Sequence, residues 1–176
     1  RAAVVWSATN GVKMVLADGL DAWRVAELLA TNHVQVVFSH VYTQPQREED
    51  GYDAQFRAAG ILNKAGVKIA FSGGGGPGGN GSLVKNLPYT AAQAVAFGLP
   101  GDEALKSITL YPAQIAGVAD RLGSIEVGKD ATLFVADGDI LDIRTNVKRM
   151  WIGGKEVSLE NRHTRLYEKY KNRPKP

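Results

Sequence analysis

Three short apolar runs, each preceded by a helical pattern, constrain the fold of this chain more than any other feature. The runs do not alternate between apolar and polar residues, so both faces of each strand are expected to be covered, as in a parallel sheet wrapped by helices. Three strands cannot close a barrel of eight. The pattern therefore predicts an α/β fold that is either a doubly wound sheet or part of a (β/α)8 barrel. The runs are "VKMVLA" (12–17), "VQVVFS" (34–39) and "VKIAFS" (67–72), and the helical patterns cover 1–10, 21–32 and 53–66.

The second half of the chain changes in character after Gly117. Two helical patterns precede this point, and Pro112 is expected to kink or restart the second of them, which covers 102–117. Beyond Gly117, short strands joined by Gly and Asp turns indicate an antiparallel β-element, and a polar helix follows. We therefore expect three regions: a partial α/β barrel over 1–117, a β-sandwich portion over 118–159 and a tail helix over 160–176.

Composition excludes several classes of function. The chain of 176 residues contains no cysteine, which rules out disulfides, cysteine zinc sites and thiol nucleophiles. The net charge of +3 is concentrated in the tail, where a solvated helix is favoured over a nucleic-acid arm. No apolar run approaches the length of a membrane span, and no signal peptide is visible. We expect a soluble protein, cytoplasmic or periplasmic, that binds neither nucleic acid nor membrane; because it begins with Arg1, we expect a processed product or a fragment.

A glycine-rich loop, "SGGGGPGGNG" (72–81), lies between the third strand and the next helix, where such loops often hold phosphate. It lacks the Gly-Lys-Ser/Thr ending of a phosphate-binding loop and the downstream acid of a dinucleotide fingerprint, so nucleotide binding is disfavoured. Because a run of glycines carries a large ordering entropy, a mobile loop at an active site is the better interpretation.

One long segment, "LPGDEALKSITLYPAQIAGVADRLGSIEVGKDATLFVADGD", resembles the C-terminal part of amidohydrolase-superfamily proteins, and the imidazolonepropionase-like branch in particular. The matching elements are "EAL…T…PA" on two helices and "LGSIEVGKDA" before an apolar strand. "VKRMWIGGKEV" resembles the strand pair that closes the small β-sandwich of that family. The resemblance covers about residues 86–157; Gly123 and Gly128 suit its tight turns, and Thr132 departs from the Asp that is common there.

The resemblance implies a TIM barrel that binds one or two divalent metal ions, zinc or a similar ion, and hydrolyses a C–N bond with a metal-activated water. It also implies that this chain holds about barrel strands six to eight. The family's ligands are a His-x-His after strand one, a Lys or Glu after strand four, His after strands five and six, and Asp after strand eight. Two of these positions fall in this chain and both differ: Asp18 follows strand six, and Ser72, Gly73 and Gly74 follow strand eight. No metal is therefore expected for this chain alone, and we expect it to be inactive by itself.

Two residues are candidates for catalysis. His40 directly follows the second apolar run, with Tyr42 and the acidic residues 48–50 nearby, so it could serve as a metal ligand or a general base. The alternative is a loop histidine bonded to backbone. Asp18 is the second candidate, and capping of the next helix is its equal alternative. For substrate binding we select Ser72, Gly73, Gly74 and Asn80.

Two functions remain open from the sequence. The first is the C-terminal portion of a metal-dependent amidohydrolase that acts on a small cyclic amide or peptide-like substrate, with the metal held by the rest of the enzyme. The second is a non-catalytic scaffold or self-assembling protein that retains the fold, which the missing ligands favour. Because a partial barrel has open sheet edges, we expect a homo-oligomer or a second chain that completes the barrel.

Overall fold

The computed structural model describes residues 1–73, 81–171 and 173. Within these residues the chain forms seven α-helices and two separate three-stranded sheets. The helices are α1 (Ala2–Thr9), α2 (Ala26–Thr31), α3 (Ala54–Lys64), α4 (Leu87–Ala96), α5 (Gly101–Ile108), α6 (Leu110–Ile115) and α7 (Arg162–Lys171). The strands are β1 (Val15–Ala17), β2 (Gln35–Phe38), β3 (Ile69–Phe71), β4 (Leu133–Ala136), β5 (Val147–Ile152) and β6 (Lys155–Val157), and short 3-10 helices cover Ala22–Val25 and Gly81–Asn86.

The first sheet is parallel and has the strand order β1-β2-β3. Its register places Leu16 opposite Val36, and Val36 opposite Ile69. All three residues of β3 are buried, and Phe38 of β2 is fully inaccessible to solvent. Only β3 is buried at every position, whereas β2 alternates between half-buried and buried residues and β1 has no fully buried residue. The parallel pairing of the three strands confirms the prediction of an α/β fold with a parallel sheet.

The predicted helix over 102–117 is in fact two helices that meet at Thr109, where the backbone leaves helical geometry with φ −130° and ψ −80°. Pro112 lies in the first turn of α6. The first four N–H groups of a helix have no partner within it, so a residue without an N–H is tolerated there. The predicted restart of the helix is therefore confirmed.

A hydrogen-bond cluster around Glu103 connects α3, α5 and α6. The Glu103 carboxylate accepts from Asn63 Nδ2 at 3.0 Å, Lys106 Nζ at 2.7 Å and the Tyr111 hydroxyl at 2.7 Å. Burial by itself would raise the pKa of Glu103, but the three donors outweigh it and hold this pKa below its usual range. The cluster fixes how the last helices of the α/β region pack together.

The second sheet is antiparallel, with the order β4-β5-β6, as predicted for the segment after Gly117. The chain reaches it through Gly123, which has φ +93° and lies against the α5–α6 junction. A Cβ at Gly123 would approach Ala113 Cβ to 2.7 Å and Leu110 Cα to 3.0 Å. The family-like segment "LGSIEVGKDA" therefore requires glycine here for two reasons, its backbone angle and its close packing.

The last described helix, α7, buries none of its residues. Its exposed apolar side chains are Leu166, Tyr167 and Tyr170. No helix in the described part of the chain is both long and apolar enough to cross a bilayer. The boundaries of the three predicted regions, at 117/118 and 159/160, stay predictions.

Candidate functional site

The carboxyl ends of the three parallel strands bring the predicted site residues to one edge of the sheet. Asp18 follows β1, His40 follows β2, and Ser72 follows β3. Backbone pairing continues just beyond the strands, because Asp18 N donates to Val37 O at 2.9 Å and Ser72 N donates to Phe38 O at 3.0 Å. In open or closed parallel sheets this edge is where ligands bind.

Asp18 presents a carboxylate to solvent at this edge. Its backbone has φ +62°, a left-handed conformation that Asp tolerates better than most residues. The Oδ1 atom accepts a hydrogen bond from Ser39 Oγ and lies 3.0 Å from His40 Nε2. The side chain is still 68% exposed. Two donors from the segment directly after β2 therefore orient the carboxylate without covering it.

His40 uses both of its ring nitrogens within the protein. Nε2 lies 3.0 Å from the Asp18 backbone oxygen and 3.0 Å from Asp18 Oδ1, while Nδ1 lies 3.0 Å from Thr43 Oγ1. Both Asp18 atoms can only accept, so the hydrogen-bond partners assign the proton to Nε2. In the neutral ring, Nδ1 then accepts from Thr43. Among the groups that the structure describes here, the Asp18 carboxylate is more exposed than the imidazole, 68% against 21%, and is the better placed to meet a ligand.

A pocket of about 260 Å³ is lined by Ser39 and Thr43, which hydrogen-bond Asp18 and His40, but not by Asp18 or His40 themselves. Hydroxyl and amide groups dominate its polar lining, and the described residues that form it include no Lys, Arg, Asp or Glu. Gly73 closes one side, where a Cβ would lie 3.2 Å from Val84 N, so the chain after β3 approaches the 3-10 helix closely. The lining residues are Ser39, Tyr42, Thr43, Ser72, Gly73, Leu83, Asn86 and Thr90.

Tyr42 borders this pocket and connects it to α4. Its hydroxyl donates to Tyr89 O at 3.1 Å. Burial raises the pKa of Tyr42, and a hydrogen bond with Thr90 acts in the opposite direction. The phenol therefore stays neutral at physiological pH and is available as a hydrogen-bonding group.

Two crossed ion pairs connect the loop between β2 and α3 to the segment after β1. Arg24 pairs with Asp50, whose side chain is only 4% exposed. In return Arg47 reaches Asp21 through two hydrogen bonds of 2.8 and 3.2 Å. The sequence predicted that the acidic residues 48–50 lie near His40. The structure differs in part, because Asp50 pairs with Arg24 and the partners of His40 are Asp18 and Thr43.

The described residues do not fit the metal site that the sequence resemblance implies. No group of three or more His, Cys, Asp or Glu side chains with metal-binding geometry occurs among residues 1–73, 81–171 and 173. At the strand edge Asp18 and His40 supply at most two ligands, and Gly73 supplies no side chain. A catalytic zinc site needs three protein ligands and an open position.

The structure brings four of the six predicted site residues together: Asp18, His40, Ser72 and Gly73. Gly74 and Asn80 lie outside the described residues, as does most of the glycine-rich loop. Sequence reasoning missed the residues that orient the pair, Ser39 and Thr43. Their positions in the sequence could have suggested these contacts, because Ser39 immediately follows β2 and Thr43 is three residues after His40.

Comparison with known proteins identifies the family. The profile of the Amidohydrolase family matches residues 7–157. The chain belongs to the amidohydrolase family. It is 41% identical over 70 residues to the "amidohydrolase tasK" of Hapsidospora irregularis, covering 40% of this chain. It is 36% identical over 93 residues to an imidazolonepropionase of Pseudomonas fluorescens, covering 53% of this chain. The imidazolonepropionase-like resemblance read from the sequence is thus confirmed.

Solved structures support the same conclusion about the fold. An amidohydrolase from Thermotoga maritima matches with a TM-score of 0.75 and 31% identity over 89% of this chain. A zinc-bound adenosine deaminase from Xanthomonas campestris matches with a TM-score of 0.61 at 22% identity over 90% of this chain, which supports the fold alone. The α/β region is therefore of the TIM-barrel type. The chain spans 7% and 22% of the two curated relatives and 39% and 42% of these two structures.

Proposed function

We propose that this chain forms one wall of the active site of an amidohydrolase-type hydrolase. In this proposal β1, β2 and β3 are about barrel strands six to eight, and the antiparallel sheet belongs to the β-sandwich. The substrate is a small molecule with a C–N bond, such as a cyclic amide or a peptide-like compound. The observation that carries the proposal is the exposed, oriented carboxylate of Asp18 at the carboxyl edge of the parallel sheet, where its hydrogen-bond donor Ser39 lines a pocket.

The chemistry assigned to Asp18 is general-base catalysis. The carboxylate takes a proton from a water molecule as the water oxygen forms a bond to the substrate carbonyl carbon. The C–N bond then breaks, and the proton passes from Asp18 to the leaving nitrogen, so that amide and water become acid and amine. Ser39 and His40 orient the carboxylate through their hydrogen bonds. A positioned general base typically accelerates a reaction by about 10²- to 10⁴-fold.

The proposal includes a divalent metal ion in the complete enzyme. The two strand-end ligands available here do not make a metal site, so a divalent ion in the complete enzyme would be held by residues beyond those described. No step assigned to Asp18 uses such an ion.

The test is an assay of C–N bond hydrolysis by the protein isolated in its native assembly. A panel of cyclic amides and N-acyl amino acids is screened for released amine, with and without added Zn²⁺. We expect hydrolysis of at least one class of substrate, and we expect the rate to fall about 100-fold in Asp18→Asn. Asp120→Asn is the matched control, since Asp120 is also exposed and lies far along the chain in the loop after α6. Absence of hydrolysis, or equal activity of both variants, would contradict the proposal.

A non-catalytic assembly role is the second candidate, and the changed ligand positions favour it. Among the described residues, β1 and β3 each pair only with β2, which leaves an open backbone edge on either side of the sheet. Open edges pair readily with further strands. Native mass spectrometry with metal analysis separates the two candidates. Chains of 18.9 kDa that assemble only with themselves, carry no metal and hydrolyse nothing would support the scaffold; a second chain with a bound ion would support the hydrolase.

A further inference from the structure

Helix α7 has an apolar face that no described part of the chain covers. The side chains of this face follow the spacing i, i+3, i+4 and i+7, which places them on one side of a helix. They are His163, Leu166, Tyr167 and Tyr170. None of the ten residues of α7 is buried. A helix with one apolar face is stabilised when that face lies in a groove, and among the described residues α7 occupies none.

The charge of α7 restricts the kind of groove that fits it. The helix contains four Lys or Arg residues and one Glu. Arg162 and Lys169 pair with no carboxylate that the structure describes. They are seven residues, or about two turns, apart, so they share one side of the helix along an edge of the apolar face. A surface that receives α7 should therefore be both apolar and acidic.

A groove of about 570 Å³ between α4 and the loop after β4 has both properties, and we call it the α4 groove. Its apolar walls include Tyr89 and Val95 from α4 and Leu141 and Ile143 from the loop. Two aspartates also line it, whereas the described lining residues include no Lys or Arg. The α4 groove is therefore an apolar surface with negative charge.

Asp139 supplies the uncompensated charge of the α4 groove. The second aspartate, Asp142, pairs with Arg144 at 2.6 Å. Asp139 pairs with no Lys or Arg among the described residues, and its Oδ1 atom accepts a hydrogen bond from Leu141 N at 2.9 Å. This bond holds the carboxylate in place at the groove. A basic side chain from another molecule is the group that complements it.

A larger cavity, of about 830 Å³ beside α1 and α2, does not match the charge of α7. Three basic side chains line it, and only one acidic side chain does so among the described residues. The basic residues are Arg1, Arg24 and Lys64, and the acidic residue is Glu27. Like charges placed opposite each other destabilise an interface. Charge therefore favours the α4 groove over this cavity as the receiving surface.

We infer that α7 of one copy of this chain docks into the α4 groove of a second copy. Leu166 and Tyr170 then contact the apolar walls, and the basic edge of the helix faces Asp139. Docking in both directions gives a dimer with two equivalent interfaces. This interface is separate from the open edges of the parallel sheet and does not depend on hydrolysis. Because Tyr42 lines both the α4 groove and the pocket of the candidate site, the docked helix lies next to that site.

Disulfide formation between mixed chains tests the docking, because the chain has no cysteine of its own. A His163→Cys chain is mixed with an Ile143→Cys chain in the micromolar range and oxidised, and the link between positions 163 and 143 is identified by peptide mass. Each chain carries one thiol, so this link joins two copies. The control replaces the second chain by Ile125→Cys, since Ile125 lies outside the α4 groove and is similarly exposed, 84% against 75% for Ile143. Docking raises the local thiol concentration into the millimolar range, so the link to position 143 should form at least about ten-fold faster than the control link.

The contribution of charge is measured with the same pair of chains. Arg162→Gln with Lys169→Gln, added to the His163→Cys chain, removes the basic edge of α7 and should slow the link to position 143 by about three-fold per charge. Lys13→Gln with Lys155→Gln removes the same charge from exposed positions outside α7 and should leave the rate nearly unchanged. Salt at about 0.5 M should also slow the link, because it screens exposed charges.

Several results would overturn the inference: equal rates at positions 143 and 125, no link between mixed chains, or a rate that neither salt nor the loss of the α7 charges changes. A chain that carries both His163→Cys and Ile143→Cys tests docking within one copy. A disulfide inside single chains of this variant, without a link between mixed chains, would place α7 in its own groove and overturn docking between copies. None of these readouts uses hydrolysis, so they are independent of the proposed function.

Discussion

His40 Nε2 lies 3.0 Å from both the backbone oxygen and the Oδ1 atom of Asp18, which connects the ends of two adjacent parallel strands. Two acceptors facing one ring nitrogen require that nitrogen to carry hydrogen. The Nε2–H group of His40 is therefore used to hydrogen-bond Asp18. The sequence offers both residues as catalytic candidates. We assign the role of general base to Asp18 and the role of a positioning residue to His40.

The tautomer of His40 is the first prediction. We expect Nε2 to be protonated and, in the neutral ring, Nδ1 to be an acceptor for Thr43. Long-range 1H–15N correlation spectra of the imidazole at neutral pH report which nitrogen carries the proton. Thr43→Val removes the donor to Nδ1 and should change the shift of that nitrogen more than the shift of Nε2. An unprotonated Nε2 in the wild-type chain would be incompatible with the geometry described.

The second prediction concerns the crossed ion pairs. Arg24→Gln leaves the carboxylate of Asp50, 4% exposed, without its cation, and should lower the free energy of unfolding by roughly 2 kcal/mol. Arg47→Gln breaks a pair whose side chains are 42% and 47% exposed, and should cost less than about 1 kcal/mol. Urea unfolding of the two variants checks the order. Equal losses would show that burial of Asp50 does not govern the stability of this loop.

Gly123 and Gly128 provide the third prediction, because their φ angles are +93° and +92° but only Gly123 has close neighbours. Alanine at either position carries the strain of a left-handed backbone, about 1 to 2 kcal/mol. At Gly123 it also meets Ala113 and Leu110, and such overpacking adds roughly 1 to 3 kcal/mol. Gly123→Ala should therefore destabilise the chain more than Gly128→Ala in thermal or urea unfolding. Similar losses would indicate that the contact with the α5–α6 junction is absent.

Alkaline pH tests the cluster around Glu103. Burial and the hydrogen bond to Glu103 raise the pKa of Tyr111 to about 12, whereas an unfolded tyrosine titrates near 10. Since the folded state favours the protonated phenol, its contribution is complete below pH 10 and is lost as pH rises from about 10 to about 12. We expect Tyr111→Phe to lose less stability across this interval than the wild-type chain does. Tyr167→Phe, on the exposed helix α7, is the control and should follow the wild type.

Much of the fold could be predicted from the sequence because its signals are local. Apolar runs without alternation predicted a parallel sheet, and Pro112 predicted a helix restart, although only β3 is buried at every position. Adjacent positions after neighbouring strands could also be placed at one edge, which brought Asp18 and His40 into the candidate site. These inferences need only the periodicity of the chain and the geometry of parallel strands.

The division of roles within the site could not be predicted, because it depends on contacts between segments. The proton of His40 is assigned by where Asp18 and Thr43 lie around the ring, and spacing along the chain does not report that. The crossing of Arg24 to Asp50 and of Arg47 to Asp21 joins residues 26 positions apart in each case. Sequence alone also offered the acidic residues 48–50 as neighbours of His40, whereas the charge of Asp50 is used by Arg24.

Whether Asp18 is the general base is tested most directly by the kcat/KM for C–N bond hydrolysis of Asp18→Asn and His40→Gln, measured side by side in the native assembly. Asp18→Asn removes the base itself, whereas His40→Gln removes only its orienting partner and retains an N–H donor. We expect Asp18→Asn to lose at least about ten-fold more activity than His40→Gln. A greater loss in His40→Gln would contradict it, because the imidazole and not the carboxylate would then carry the chemistry.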